Sequence, residues 1–86
     1  MYKRIFGNRL RKLRLDNNIS SGSLTRFLGY DDVMSVYYLE NGYMEPNLKT
    51  IAKLCDMFNV TAGYLIGTEG NELTEKQKLI QEFFSM

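Results

Sequence analysis

Histidine is absent from the 86 residues, and the one cysteine, Cys55, has no second thiol to meet. An internal disulfide framework is thereby excluded, and a structural zinc site, built from several Cys or His ligands, has almost nothing to draw on. No apolar run is long enough to span a bilayer. The opening "MYKRIFGNRLRKLR" is basic, yet it lacks the uninterrupted apolar stretch and small-residue cleavage site of a secretory signal. A soluble protein of the reducing cytoplasm is expected, with no metal, no cofactor and no membrane partner. One further scarcity is local. Residues 28–45 contain no Lys or Arg, against four acids, Asp31, Asp32, Glu40 and Glu45.

What is present fits one small packed domain. Hydrophobic residues make up 44% of the chain and charged residues 24%, ordinary shares for a soluble core with a solvated surface. The net charge of +1 hides a segregation: Lys3, Arg4, Arg9, Arg11, Lys12 and Arg14 all precede the first acid, Asp16. Such asymmetry can steer a polyanion to one face. A merely solvated basic helix has the same composition.

Apolar spacing predicts helices throughout. Phe6, Leu10 and Leu13, with Tyr2 a turn earlier, give an amphipathic helix over 3–16, stopped by Asn17-Asn18. Ser20 is a good N-cap for a short second helix carrying Leu24, Phe27 and Leu28, and Gly29 supplies a tight turn. Asp31 or Asp32 can cap a third helix with Val33, Val36 and Leu39 at helical spacing, ended by Asn41-Gly42. Pro46-Asn47 opens a fourth, whose inner stripe reads Leu48, Ile51, Leu54, Cys55 and Phe58. Thr61 caps a short fifth, closed by Gly67. Residues 68–73 read as a linker after a domain spanning 1–67. Thr74 to Gln77 then fits a capping box, and Leu79, Ile80, Phe83 and Phe84 make residues 74–86 a terminal amphipathic helix.

Four ordered stretches carry a resemblance. "FGNRLRKLRLDNNIS", "LTRFLGY", "VYYLENG" and "PNLKTIAKLCDMFNVTAGYLIG", over roughly residues 5–67, look like the helix-turn-helix domain of the Cro and lambda-type phage repressors. The resemblance implies an all-α fold, a compact five-helix domain whose second and third helices form the DNA-binding unit. Many members read two-fold-related half-sites as dimers. It also implies core positions at Leu24, Leu28, Val36 and Leu39, a turn glycine at Gly29, and an Arg14–Glu40 pair joining the first helix to the end of the third. The chain departs from the common pattern in three ways. One extra residue separates Gly29 from Glu40, as in a subset of relatives beginning "LGY". Ser21 stands where many members have Gln. Tyr43-Met44-Glu45 replaces a loop that often carries a phosphate-gripping Lys or Arg.

On this resemblance the third helix would present Asp32, Val33, Met34, Ser35, Tyr37 and Tyr38 to double-stranded DNA. Val33 and Met34 can meet thymine methyls, Ser35 can hydrogen-bond a base edge, and an acid can accept from cytosine N4. Ser21, Arg11, Arg26, Tyr43 and Lys49 are the candidates for backbone phosphate, and the basic first helix, with Lys3 and Arg4 beside Arg11, can supply further backbone charge. An acidic, Tyr- and Met-rich helix also matches the composition of protein interfaces, so a repressor-like module that binds another protein, as an antirepressor or antitoxin does, is the competing reading. A plainer expectation is that one of Tyr37 and Tyr38, not both, packs inward. A homodimer is expected through Tyr64 and the terminal stripe of Leu79, Ile80, Phe83 and Phe84, which would be a costly exposed patch on a monomer. Catalysis is not expected. There is no Gly-rich phosphate cradle, and Cys55 lies in a helix stripe where an inert, packed thiol is the ordinary outcome. Asp31-Asp32 is explained by capping without a metal.

Overall fold

The computed structural model describes residues 2–68. Among them are five α-helices and no strand: α1 (Tyr2–Asp16), α2 (Ser21–Leu28), α3 (Met34–Glu40), α4 (Leu48–Phe58) and α5 (Ala62–Ile66). The linker expected over 68–73, apart from Thr68, lies outside the described residues. So does the terminal helix expected over 74–86, with Leu79, Ile80, Phe83 and Phe84.

Local chemistry sets most helix ends. The Ser20 hydroxyl accepts the Ser23 N–H, the Asn47 side chain accepts from Thr50, and the Thr61 hydroxyl accepts from Tyr64, so three helices begin on satisfied donors. Asn18 (φ 56°) stops α1 in the left-handed conformation that Asn tolerates, and Gly29 (φ 82°) does the same for α2.

The core is Phe6 and Leu10 of α1, Leu24 and Leu28 of α2, Val36 and Leu39 of α3, Leu54 of α4 and Leu65 of α5, all buried. Each such burial contributes about 2 kcal/mol. α1 is the hub, packing on both α3 and α5, while α2 packs on α3 and α4 on α5. The Tyr30 hydroxyl lies 2.9 Å from the Thr50 hydroxyl and ties the chain after α2 to α4.

Arg14 joins three elements. Its Nε and Nη2 donate to the two carboxylate oxygens of Glu40, at 2.5 and 3.1 Å, and its Nη1 donates to the Ile19 carbonyl at 3.1 Å. Both side chains are largely shielded from water. The hydrogen bond to Glu40 raises the Arg14 pKa above its ordinary value, opposed by burial and reinforced by the charge of Glu40.

Three expectations need correction. α3 begins at Met34, with Val33 as its cap in helical backbone; the Asp32 carboxylate accepts the Met34 N–H at 2.9 Å, bonding two residues along the chain. Val33, though at helical spacing with Val36 and Leu39, is exposed, as its expected place toward a groove requires. Leu48, read as inward, is 84% exposed because it is the first residue after the Asn47 cap and turns off the packed face. Tyr37 and Tyr38 are both exposed, since Val36, Leu39 and Glu40 fill the inward side of α3.

Candidate functional site

The start of α2, the outer side of α3 and one flank of α1 meet on a common surface. Ser21, Arg11 and Tyr37, one residue from each helix, line a depression of about 200 Å³ with Arg14, Glu40 and Asn41. A second depression, about 480 Å³, runs on from it and shares Arg11, Glu40 and Asn41. Its walls are Lys3, Arg4, Asn8 and Arg11 on α1 and the Asn41–Tyr43 turn on the other side. Arg4, Asn8 and Arg11 fall on one face of α1, turned away from Phe6 and Leu10, while Lys3 sits at the edge of that face and also lines a groove with Phe6.

Gly42 makes the second depression possible. Its φ of +75° turns the chain back across the first turn of α1, and a Cβ there would lie 3.6 Å from the Arg4 Cα. The turn places Tyr43 beside α3. The Tyr43 ring centroid lies 6.2 Å from that of Tyr37 and 6.5 Å from that of Tyr38, and the latter two are 5.9 Å apart. Three exposed rings thus form one patch, with exposed Val33 and Met34 on the same helix and its cap.

The expected base-reading residues divide. Val33, Met34, Tyr37 and Tyr38 are exposed, and Ser35 is half-buried. Asp32 is exposed, but one of its oxygens is committed to the start of α3. Of the expected phosphate contacts, Arg11, Ser21 and Tyr43 line the two depressions, whereas Arg26 and Lys49 line neither. Arg26 instead points a guanidinium nitrogen at the Ser23 hydroxyl, 3.4 Å away.

The cations divide as clearly. Lys12 pairs with Asp16 at 3.1 Å, Arg14 with Glu40, and Arg9 donates to the Tyr64 carbonyl while its guanidinium sits 4.6 Å over the Tyr64 ring. Lys3, Arg4 and Arg11 have no ion pair among the described residues, and all three line the larger depression. The first turn of α1 holds no acid, so the helix dipole adds to the charge of Lys3 and Arg4 there. Among the described residues Glu40 is the one acid of that lining, and Arg14 occupies both of its oxygens.

Asn8 and Asn41 join this surface without having been singled out from the sequence. The helical spacing of Arg4, Asn8 and Arg11 was the available signal for Asn8; Asn41 depended on the path of the turn. Tyr64, expected at a dimer contact, is half-buried and engaged by Arg9.

An apolar groove of about 300 Å³, which shares Lys3 with the basic depression, lies between Tyr2 and Phe6 of α1, Glu45, Pro46, Ile51 of α4 and Ile66 of α5. Among the described residues no group of His, Cys, Asp and Glu could hold a metal ion, and no helix is long and apolar enough to cross a membrane. Compared with protein-family models, with curated proteins and with solved structures, the chain finds no match in any of the three.

Proposed function

We propose that this chain is a sequence-specific DNA-binding transcriptional regulator, a small Cro-like repressor of the helix-turn-helix type that reads an operator as a homodimer. The observation that carries the reading is the shared surface of Ser21, Arg11 and Tyr37, which joins the start of α2 and a basic flank of α1 to the outer face of α3. On this reading Val33 and Met34 meet thymine methyls and Tyr37 and Tyr38 reach base edges or sugar. Ser21, Arg11 and Tyr43 hold backbone phosphates. Arg14–Glu40 reads nothing and fixes α3 against α1. The chain binds and does not catalyse.

A second reading is favoured by the Tyr37, Tyr38 and Tyr43 patch. Exposed aromatic rings beside Met34 have the composition of a protein-binding hot spot, and the acids nearby weaken attraction to DNA. An antirepressor or antitoxin would use the same face on a protein partner.

Selection from random DNA duplexes at two salt concentrations separates the two. For a DNA reader a motif emerges, Met34→Ala changes base preference at one position, and Arg11→Ala weakens all sites while reducing the salt slope by about 1. If no motif emerges at either salt, and tyrosine substitutions instead release a co-purifying protein, the second reading replaces the first.

A further inference from the structure

We infer that the basic depression between α1 and the Asn41–Tyr43 turn seats consecutive backbone phosphates of duplex DNA, flanking the base pairs that α3 reads. The inference rests on the DNA-binding reading above and gives the expected backbone charge of Lys3, Arg4 and Arg11 a defined seat, with Asn8 and the Asn41–Tyr43 turn as its further walls.

Charge sorting is the first argument. The α1 cations already partnered are Lys12, by Asp16 on the same helix, Arg14, by Glu40, and Arg9, by the Tyr64 carbonyl. The three without an ion pair among the described residues, Lys3, Arg4 and Arg11, all line one depression, with Lys3 at its border with the groove that holds Glu45. Glu40, the one acid of its lining among the described residues, has both oxygens held by Arg14, so it does little to offset those cations.

Shape is the second. Lys3 and Arg11 are eight positions apart on a continuous helix, a rise of about 12 Å. One small anion cannot touch both ends of such a row. A strand of duplex DNA, with one phosphate per roughly 3.4 Å of axial rise, can. Exposed Asn8 and the Tyr43 hydroxyl add neutral donors between and opposite the cations, and the Gly42 turn brings that wall within reach.

Position is the third. The depression runs directly into the one formed by Ser21 and Tyr37, through Arg11 and Asn41. Phosphates seated there belong to the same duplex whose groove α3 enters. This supplies backbone affinity that the Tyr43-Met44-Glu45 loop, lacking a base, does not.

The test uses the full chain and the duplex selected for it, with binding measured across a salt series. Arg4→Gln lowers the steepness of log K against log salt by about 0.9, and Lys3→Gln with Arg4→Gln by about 1.8, with base preference unchanged. Lys12→Gln, which removes the same charge from a paired site on α1, leaves the slope as it was. Both altered α1 side chains are exposed, so the thermal midpoint stays that of the parent protein. Duplexes trimmed on the flank beyond the selected motif lose affinity for the parent protein and not for the double variant. Equal slopes for the parent and Arg4→Gln, or an equal loss for Lys12→Gln, overturn the inference and leave the α3 reading intact. Absence of any duplex binding by the parent protein overturns both.

Discussion

Gly7 lies against the main chain of Glu40: a Cβ added at Gly7 would sit 2.4 Å from the Glu40 carbonyl oxygen and 2.6 Å from that of Leu39. The C-terminal end of α3 therefore rests on the backbone of α1, closer than any side chain allows. Gly7→Ala must push the two helices apart, and the obstacle is backbone that cannot rotate away. The expected loss is about 1–3 kcal/mol, a fall of about 10 °C in thermal midpoint for a domain of this size. Gly22 is the control, because a Cβ there meets nothing within 4 Å. Gly22→Ala should hold or raise the midpoint. If Gly7→Ala matches Gly22→Ala, the close approach of α1 and α3 is wrong.

The same junction is locked by Arg14. Glu40→Gln leaves a shielded guanidinium without its countercharge, and Glu40→Ala also opens space, so each should cost about 3 kcal/mol. Arg14→Lys keeps the charge but loses the two-point grip and the bond to the Ile19 carbonyl, and should fall between those variants and the parent. Folding raises the Arg14 pKa. The contribution is therefore complete at every pH below the ordinary arginine value and is lost only as pH climbs through the raised one. The stability difference between the parent and Glu40→Gln stays constant from about pH 7 to about pH 10. A difference that vanishes within that window shows that the pair does not hold the helices.

Much of this architecture can be read residue by residue. Ser20, Asn47 and Thr61 announce three helix starts because capping is local chemistry, and Asn18, Gly29 and Gly67 announce stops for the same reason. Leu24, Leu28, Val36 and Leu39 are buried where apolar spacing put them. Leu48 shows where spacing fails: at a helix end the first residue can share the period of the stripe and still lie off the packed face. Gly7 reads in isolation as a weak helix former, and only the path of α3 reveals why it is small. The tyrosine patch was equally hidden. Tyr37 and Tyr38 are neighbours in sequence, but Tyr43 reaches them through the positive φ of Gly42. Which exposed face is used is a matter of partner chemistry, and helical period carries no record of it.

The tyrosines also report on that use. Tyr37, Tyr38 and Tyr43 are exposed, whereas Tyr30 is half-buried and bonded to Thr50, and Tyr64 lies beneath Arg9. Mild nitration of the free protein should modify these three, together with exposed Tyr2, before Tyr30 and Tyr64. A bound duplex should protect the three while leaving the order of the rest unchanged, as peptide mapping by mass spectrometry can show. Tyr43→Phe, which removes a hydroxyl but keeps the ring, should weaken all duplexes alike by a few fold if that hydroxyl holds phosphate. Protection of Tyr37 and Tyr38 by a protein partner, with none by any duplex, would move the assignment to the second reading.

The dimer proposal has its own consequence. A single α3 spans only a few base pairs, so useful specificity requires a second copy placed about 34 Å away, one turn of DNA. Inserting about five base pairs between two selected half-sites rotates one of them to the opposite side of the duplex. Affinity for that duplex should then drop to that for an isolated half-site. Ending the chain at Glu72 removes Leu79, Ile80, Phe83 and Phe84 and, on the proposed role of that stripe, should convert a sedimenting dimer into a monomer at micromolar concentration. The shortened protein should keep its half-site preference and lose its sensitivity to spacing. A parent protein that already sediments as a monomer, and binds both spacings equally, loses the dimer while Ser21, Arg11 and Tyr37 keep their proposed roles.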